Sequence, residues 1–200
     1  MLQSNRPYAL DVPDRDNLDE EMTTLVESIE KKYGFTPNFL KFFKTDNQRL
    51  RAFLIPYLEL MRADSGLSAT EHEMIALVCA ATNGCVYCSI HHSALVREKT
   101  GDPMFAEYLS RNYKMADLSP RHEIMLDYVV KVLTNAEEIN DGDRNALRDV
   151  GFSDETIWNI TSTACFYASA NRMSQAIGLQ PAPEYLEMYR TPLVSAAAAG

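Results

Sequence analysis

Two cysteines, a histidine and a glutamate occupy one short segment of the chain. Cys85 and Cys88 stand three positions apart, His92 follows Cys88 by four positions, and Glu73 precedes the pair. A helix places residues three or four positions apart on one face, close enough for two sulfurs to form a disulfide and for an imidazole to reach a thiol. The spacing therefore predicts a redox-active Cys85–Cys88 pair served by His92.

The predicted position of the pair, at the start of a helix, favours thiol chemistry. Asn83-Gly84 ends the preceding helix, so Cys85 opens the next one. Unpaired N–H groups at a helix start favour a thiolate, and such settings lower a cysteine pKa from about 8.5 to roughly 3.5–7.5. A thiolate attacks a peroxide or a disulfide, and a neighbouring thiol then converts the sulfenic acid into a disulfide.

Glu73 lies where the helix before the pair becomes apolar. Glu71 already has a structural role, because Ser68 and Glu71 form a Ser-x-x-Glu capping box, but Glu73 has none. We expect Glu73 to face the cysteine pair and to pass protons through His92 or a water. The alternative is a carboxylate that only solvates the start of the helix.

These residues carry a resemblance to a known family. The pattern Glu-x11-Cys-x2-Cys-x3-His, with the glutamate on one helix and the cysteines opening the next, resembles the AhpD-like, or carboxymuconolactone decarboxylase, superfamily. Asn-Gly-Cys-Val-Tyr-Cys at 83–88, Asn171-Arg172 and residues 34–38 are similar to its peroxidase-related branch. The resemblance covers most of residues 34–178.

The resemblance implies an all-α, AhpD-like orthogonal helical bundle that forms homo-oligomers from dimers to hexamers, and a thiol peroxidase or a related dithiol oxidoreductase. We expect no cofactor. The resemblance also implies that Cys88 attacks the hydroperoxide and that Cys85 resolves the product and exchanges with a dithiol reductant protein or a small thiol. His92 and Glu73 would form the proton relay. The best-studied peroxidases have a histidine before the second cysteine, where this chain has Tyr87, and this departure bears on the strength of the activity.

Two other functions use the same residues differently. The cysteine pair and His92, with either His91 or Glu73, could bind zinc. Structural zinc sites usually draw a second ligand pair from a distant segment, whereas Cys79 and Cys165 lie inside apolar helices and are expected to be small buried side chains. Such a protein would be a non-enzymatic zinc-binding or redox-sensing oligomer. The second alternative is a carboxymuconolactone-type decarboxylase, the other activity in the superfamily. That reaction would not need two cysteines, so the intact pair argues against it.

Four further residues receive structural interpretations. We expect His91 at the surface or at a subunit interface, and His72 facing solvent. Trp158 is expected in the core, and Tyr87 is expected to pack rather than to donate its hydroxyl near the thiols.

The remaining sequence predicts eight or nine helices in one domain, residues 1–190, with a disordered tail at 191–200. Pro56 is expected to kink or break the third helix. A weak echo between the segments that begin at Ser68 and Ser153 is consistent with an internal helical duplication. The predicted helices are 17–33, 37–43, 46–64, 68–82, 85–99, 103–113, 120–134, 143–150 and 153–177.

Composition narrows the partners and the compartment. The 200 residues carry a formal net charge of −9 and no stripe of basic residues, which argues against nucleic-acid binding. No apolar run approaches the ~20 residues that span a bilayer, and residues 1–10 lack the apolar segment of a secretory signal. We therefore expect a cytoplasmic protein that does not bind membranes, in which four cysteines do not form a disulfide scaffold.

Overall fold

The computed structural model describes residues 6–62 and 64–191. These residues form ten α-helices and two short 3-10 helices, without any strand among them. The predicted all-α class is therefore confirmed. The helices are α1 (Glu20–Tyr33), α2 (Asn38–Phe43), α3 (Asn47–Leu60), α4 (Ala69–Thr82), α5 (Val86–Thr100), α6 (Pro103–Asn112), α7 (Pro120–Thr134), α8 (Asp141–Asp149), α9 (Asp154–Ala176) and α10 (Glu184–Glu187).

Two predictions about the helices need correction. The chain has ten α-helices among the described residues rather than eight or nine, because α10 is a four-residue turn too short to show a periodic pattern. The third helix is not broken, since α3 continues through Pro56. Of the predicted tail at 191–200, all except Thr191 lies outside the described residues.

The central helix is α4, which packs against α5, α6, α7 and α9. Its residues from Glu71 to Ala80 are all buried, as expected for a helix that is apolar on every side. The predicted capping box starts it: Ser68 Oγ accepts from the Glu71 N–H at 3.1 Å, and Glu71 Oε2 accepts from the Ser68 N–H at 2.8 Å. Arg121 of α7 donates to the same carboxylate at 3.0 Å, which ties the helix start to α7.

A tight turn joins α4 to α5 and reverses the chain. Gly84 adopts a φ of 65°, a left-handed conformation that glycine tolerates without strain. The Cys85 N–H then donates to the Ala80 carbonyl at 2.9 Å, and Cys85 becomes the N-cap of α5. Because the two helices run side by side in opposite directions, a residue early in α4 can meet a residue in the middle of α5.

The cysteine pair lies where the N-terminal helices pack against this α4–α5 hairpin. Apolar residues of α1, α2 and α3 form one cluster with Cys85 and Cys88, while α4, α7 and α9 share the larger core. The C-terminal segment covers α5 on another side, because the buried guanidinium of Arg97 donates to the carbonyls of Tyr185 and Met188 at 2.6 and 2.9 Å. The cysteines therefore sit inside the protein, at a junction between helices.

Three predictions of burial are wrong. Trp158 is 68% exposed and Cys165 is exposed, because both lie on the face of α9 that turns away from the core. His72 is buried, and its Nε2 lies 3.0 Å from the Ser65 hydroxyl. Cys79, in contrast, is buried as expected.

No helix in the described part of the chain has the length and the apolar character needed to cross a bilayer.

Candidate active site

Cys85 and Cys88 form a disulfide at the start of α5, with their Cα atoms 5.3 Å apart. Cys85 Sγ also accepts a hydrogen bond from the Cys88 N–H at 3.3 Å. Both side chains are buried, at 1% and 5% exposure, but Cys88 lines a cavity whereas Cys85 packs among apolar residues. Of the two cysteines, Cys88 is therefore the one that borders the cavity.

His92 and Glu73 form a hydrogen-bonded pair beside this cavity. The distance from His92 Nδ1 to Glu73 Oε2 is 2.9 Å, and both residues are buried. A carboxylate accepts at Nδ1, so the neutral imidazole carries its proton there and leaves Nε2 able to accept another. His92 lies one turn after Cys88 on α5, and both line the cavity. The arrangement can take a proton from a thiol at the cavity wall.

The cavity lies between α1, α2, α3, α5 and α9 and has a volume of about 280 Å³. Its wall is mostly aromatic. The aromatic residues are Tyr33, Phe39, Phe53, Tyr57, Tyr87, Phe166 and Tyr167. Lys32 adds an ammonium group to the lining. A space of this size and character suits a small organic molecule with an apolar body.

His91 belongs to the same cavity. It is buried rather than at the surface of the chain, and its Nε2 lies 3.1 Å from the Tyr33 hydroxyl. Its ring stacks on Tyr185, with centroids 4.7 Å apart. Burial lowers the pKa of His91 well below its usual range, so the imidazole is neutral at pH 7. Tyr33 and His91 thus form a second hydrogen-bonded pair on the cavity wall.

Tyr87 is buried, as the sequence predicted, and its hydroxyl accepts from the Phe39 N–H at 3.3 Å. Burial raises the pKa of the phenol above its usual range. Because Phe39 belongs to α2, this contact fixes α2 against α5. Tyr87 therefore shapes the cavity.

The structure brings all four predicted site residues together. Cys85, Cys88 and His92 lie on one helical segment, and Glu73 reaches His92 from α4. The sequence does not predict the part of the cavity wall that α1, α3 and α9 contribute. One residue could have indicated it: Asn171 is a polar residue in the apolar stripe of α9, and it is buried beside the cavity.

A predicted alternative, the zinc site, finds no ligand set in residues 6–62 and 64–191. No group of three or more His, Cys, Asp or Glu side chains there is arranged to hold a metal ion. The two residues that could supply the fourth zinc ligand have other partners, since His91 contacts Tyr33 and Glu73 contacts His92.

Comparisons with known proteins identify the family of the chain. The model of the carboxymuconolactone decarboxylase family matches residues 48–103. An uncharacterised peroxidase-related protein from a Silicibacter species is 38% identical, with 95% of this chain and 100% of that chain covered and a TM-score of 0.89. A second one, from Ralstonia eutropha and described as an alkylhydroperoxidase AhpD core, is 34% identical with the same coverage and TM-score.

A debrominase shares the fold alone, at 16% identity, with 93% of this chain and 97% of that chain covered and a TM-score of 0.73. The search of curated proteins gave no match. The two peroxidase-related relatives exceed 30% identity over nearly the whole chain, and they confirm the resemblance carried by the cysteine, histidine and glutamate pattern. The chain belongs to the AhpD-like, or carboxymuconolactone decarboxylase, superfamily.

Proposed function

We propose that the protein is a thiol peroxidase that reduces organic hydroperoxides with Cys88 and Cys85. Membership of the family supports a peroxidase-related or decarboxylase-like function. The observation that carries the finer proposal is the position of Cys88, which borders the cavity while bonded to Cys85 and shares that cavity with His92 of the Glu73–His92 pair.

The reaction begins with the reduced pair. The Cys88 thiol gives its proton to Nε2 of His92, and Glu73 stabilises the imidazolium. The thiolate attacks the terminal peroxide oxygen, the O–O bond breaks, and the alkoxide takes the proton from His92 to leave as an alcohol. Cys88 is then a sulfenic acid.

The second thiol completes the two-electron reduction. Cys85 attacks the sulfur of the Cys88 sulfenic acid, water leaves, and the disulfide forms. The sum is one hydroperoxide and two thiols converted to one alcohol, one water and one disulfide. The Cys88 N–H, which contacts Cys85 Sγ in the oxidised chain, is placed to stabilise a Cys85 thiolate.

A dithiol reductant, either a protein or a small thiol, returns the pair to the reduced state. If Cys85 exchanges with the reductant, as the resemblance implies, the turn that holds Cys85 has to open first, since the cysteine itself is 1% exposed although Gly84 beside it is exposed. A small thiol has a second route, through the cavity to Cys88. A homo-oligomer of two to six subunits and a cytoplasmic location stay predictions.

A single-turnover experiment tests the function. Protein reduced with dithiothreitol and freed of it is mixed with one equivalent of cumene hydroperoxide, and the alcohol and the remaining thiols are measured. We expect one alcohol per chain and the loss of two thiols, with a disulfide in the peptide that holds Cys85 and Cys88. Cys165→Ser, which removes an exposed free cysteine, is the matched control and should behave as the wild type.

Two variants test the individual roles. Cys88→Ser should form no alcohol, and Cys85→Ser should form it once and leave a sulfenic acid on Cys88 that dimedone traps. Full peroxide reduction by Cys88→Ser would show that the roles are wrong. A decarboxylase would instead keep its activity on a lactone substrate after both thiols are alkylated, and a redox sensor would be oxidised without repeated turnover in the presence of excess reductant.

A further inference from the structure

We propose that the Tyr33 hydroxyl, held by His91, binds the oxygen-bearing head of the substrate, and that the aromatic cavity around it selects hydroperoxides with an aromatic or branched apolar body. The inference rests on the proposed peroxidase function. It assigns a ligand-binding role to a pair of residues outside the cysteine pair and its proton relay.

The cavity supplies an apolar environment for the body of such a molecule. Phe39 and Phe53 lie 5.9 Å apart between ring centroids, and Phe53 lies 5.6 Å from Phe166, so that aromatic rings of α2, α3 and α9 form a continuous wall. The volume of about 280 Å³ lies just below the ~300–1,000 Å³ of sites for drug-sized ligands. Hydrogen peroxide would leave most of this apolar surface uncovered, whereas a phenyl or branched alkyl group would bury it.

Tyr33 provides a polar contact in that wall. It lies at the end of α1, partly buried, and lines the cavity together with Cys88 and His91. Burial, followed by the nearby phenol of Tyr57 and the carboxylate of Glu73, raises the pKa of Tyr33 well above its usual range. The hydroxyl therefore keeps its proton across the physiological range and remains a hydrogen-bond donor.

His91 is the hydrogen-bond partner of this hydroxyl. Its Nε2 lies 3.1 Å from the Tyr33 oxygen, and its ring lies nearly parallel to the rings of Tyr185 and Phe39, with interplanar angles of 18° and 15°. When the neutral imidazole carries its proton on Nε2, it donates to the Tyr33 oxygen. The phenol proton is then free to point to an oxygen of the ligand.

A donor in this position assists the reaction without losing its proton. When the O–O bond breaks, negative charge develops on the departing alkoxide oxygen, and a preorganised donor in a water-poor site stabilises it. His92 supplies the proton that completes the alcohol, and Tyr33 supplies a hydrogen bond. The same bond can be made to the product alcohol, whose oxygen occupies the position of the leaving group.

Tyr33→Phe removes the hydroxyl and keeps the ring. We expect kcat/KM for cumene hydroperoxide to fall about tenfold, since one hydrogen bond to a developing charge is lost. The rate at which iodoacetamide alkylates Cys88 in reduced protein should not change, because this probe does not use the subsite. Tyr108→Phe, an exposed tyrosine of α6 outside the cavity, is the control. An unchanged kcat/KM in Tyr33→Phe would overturn the assignment.

A binding measurement separates this inference from the function on which it rests. The disulfide form is titrated calorimetrically with 2-phenyl-2-propanol, the product alcohol, and with isopropylbenzene, which has the same body without the hydroxyl. We expect Tyr33→Phe to weaken binding of the alcohol about tenfold and to leave binding of the hydrocarbon unchanged.

Equal weakening for both ligands, or for neither, would overturn the role of the hydroxyl even if the protein reduces peroxides. A protein that reduces no peroxide but binds the alcohol in a Tyr33-dependent way would refute the peroxidase proposal and retain the subsite.

Discussion

The imidazole rings of His91 and His92 lie parallel, with centroids 4.9 Å apart and planes 7° apart. They are consecutive residues of α5, yet they have different partners: His92 contacts the Glu73 carboxylate, and His91 contacts the Tyr33 hydroxyl. Burial, and then the charges of His92 and Lys32, lower the pKa of His91 well below its usual range. The stack therefore places the neutral imidazole of His91 against the imidazole of His92, which has the Glu73 carboxylate as its partner.

The neutrality of His91 predicts a loss of stability in mild acid. In the unfolded chain His91 binds a proton below about pH 6.5, whereas in the folded chain it does not. Below that pH the unfolded state binds more protons, so the free energy of unfolding decreases by up to ~1.4 kcal/mol per pH unit from this residue. Urea unfolding of the disulfide form between about pH 7.5 and 5 measures the slope.

His91→Phe is the variant that isolates this effect, because it keeps a ring in the stack and removes the titration. We expect a shallower decrease of the unfolding free energy below about pH 6.5, whatever the stability of the variant at pH 7.5. His72, whose pKa is also lowered by burial, contributes equally to both proteins. The same slope in variant and wild type would contradict the assignment.

The contact of Glu73 with His92 predicts that the carboxylate is needed to form the thiolate. Glu73→Gln keeps the shape but cannot stabilise an imidazolium, and a hydrogen bond to a charged group contributes ~1.5–3 kcal/mol. We expect iodoacetamide to alkylate Cys88 in reduced protein at least about tenfold more slowly at pH 7, with the pH–rate profile moved to higher pH. Glu71→Gln, the same change two residues away, should leave both unchanged. An unaltered profile in Glu73→Gln would remove Glu73 from the relay.

The contacts of Glu71 predict how the free energy of unfolding depends on pH. Burial would raise the pKa of Glu71, but the Ser68 N–H and the Arg121 guanidinium outweigh this and lower it. A carboxylate with a lowered pKa stabilises the fold above about pH 4.5, and this contribution is lost as the pH falls further. Glu71→Gln should therefore lower the unfolding free energy by about 1 kcal/mol at pH 7, and the difference should shrink below about pH 4. A difference independent of pH would refute the ionic contribution.

Much of the site could be predicted because its chemistry is local in sequence. The capping box of Ser68 and Glu71, the turn at Gly84 and the spacing of Cys85 and Cys88 are each set within a few residues. Helix geometry then determines that His92 follows on the same face. Glu73 was predictable as well, because a tight turn between two helices limits which residues can meet.

The rest depended on contacts between distant segments. Tyr33 and His91 are 58 residues apart, and no periodic pattern relates a residue at the end of α1 to one in α5. The wrong predictions on α9 have another cause, since the expected burial of Trp158 and Cys165 rests on residue type alone. The helix buries Ile157, Ile160, Ala164, Tyr167 and Asn171, a stripe at helical spacing that places Trp158 and Cys165 on the opposite face.

The contact between Arg97 and the C-terminal segment predicts how the cavity wall is held. The buried guanidinium donates to the carbonyls of Tyr185 and Met188, and Tyr185 in turn stacks on His91. Lysine cannot present two donors in a fixed fork, so Arg97→Lys should lower the unfolding free energy by roughly 1.5–3 kcal/mol. Arg97→Lys should also speed amide hydrogen exchange at Tyr185 and Met188. Because Tyr185 then supports His91 less well, the variant should bind 2-phenyl-2-propanol more weakly.

Arg190→Lys is the matched control for this last change. Arg190 belongs to the same segment and donates to the Leu186 carbonyl and to Glu107, but its side chain is 45% exposed. An exposed arginine contributes little, so this variant should unfold within about 0.5 kcal/mol of the wild type and keep its exchange rates at Tyr185. If Arg97→Lys and Arg190→Lys behaved alike, the buried guanidinium would not be what fastens α10 to α5, and the support of His91 would have to come from the aromatic stack alone.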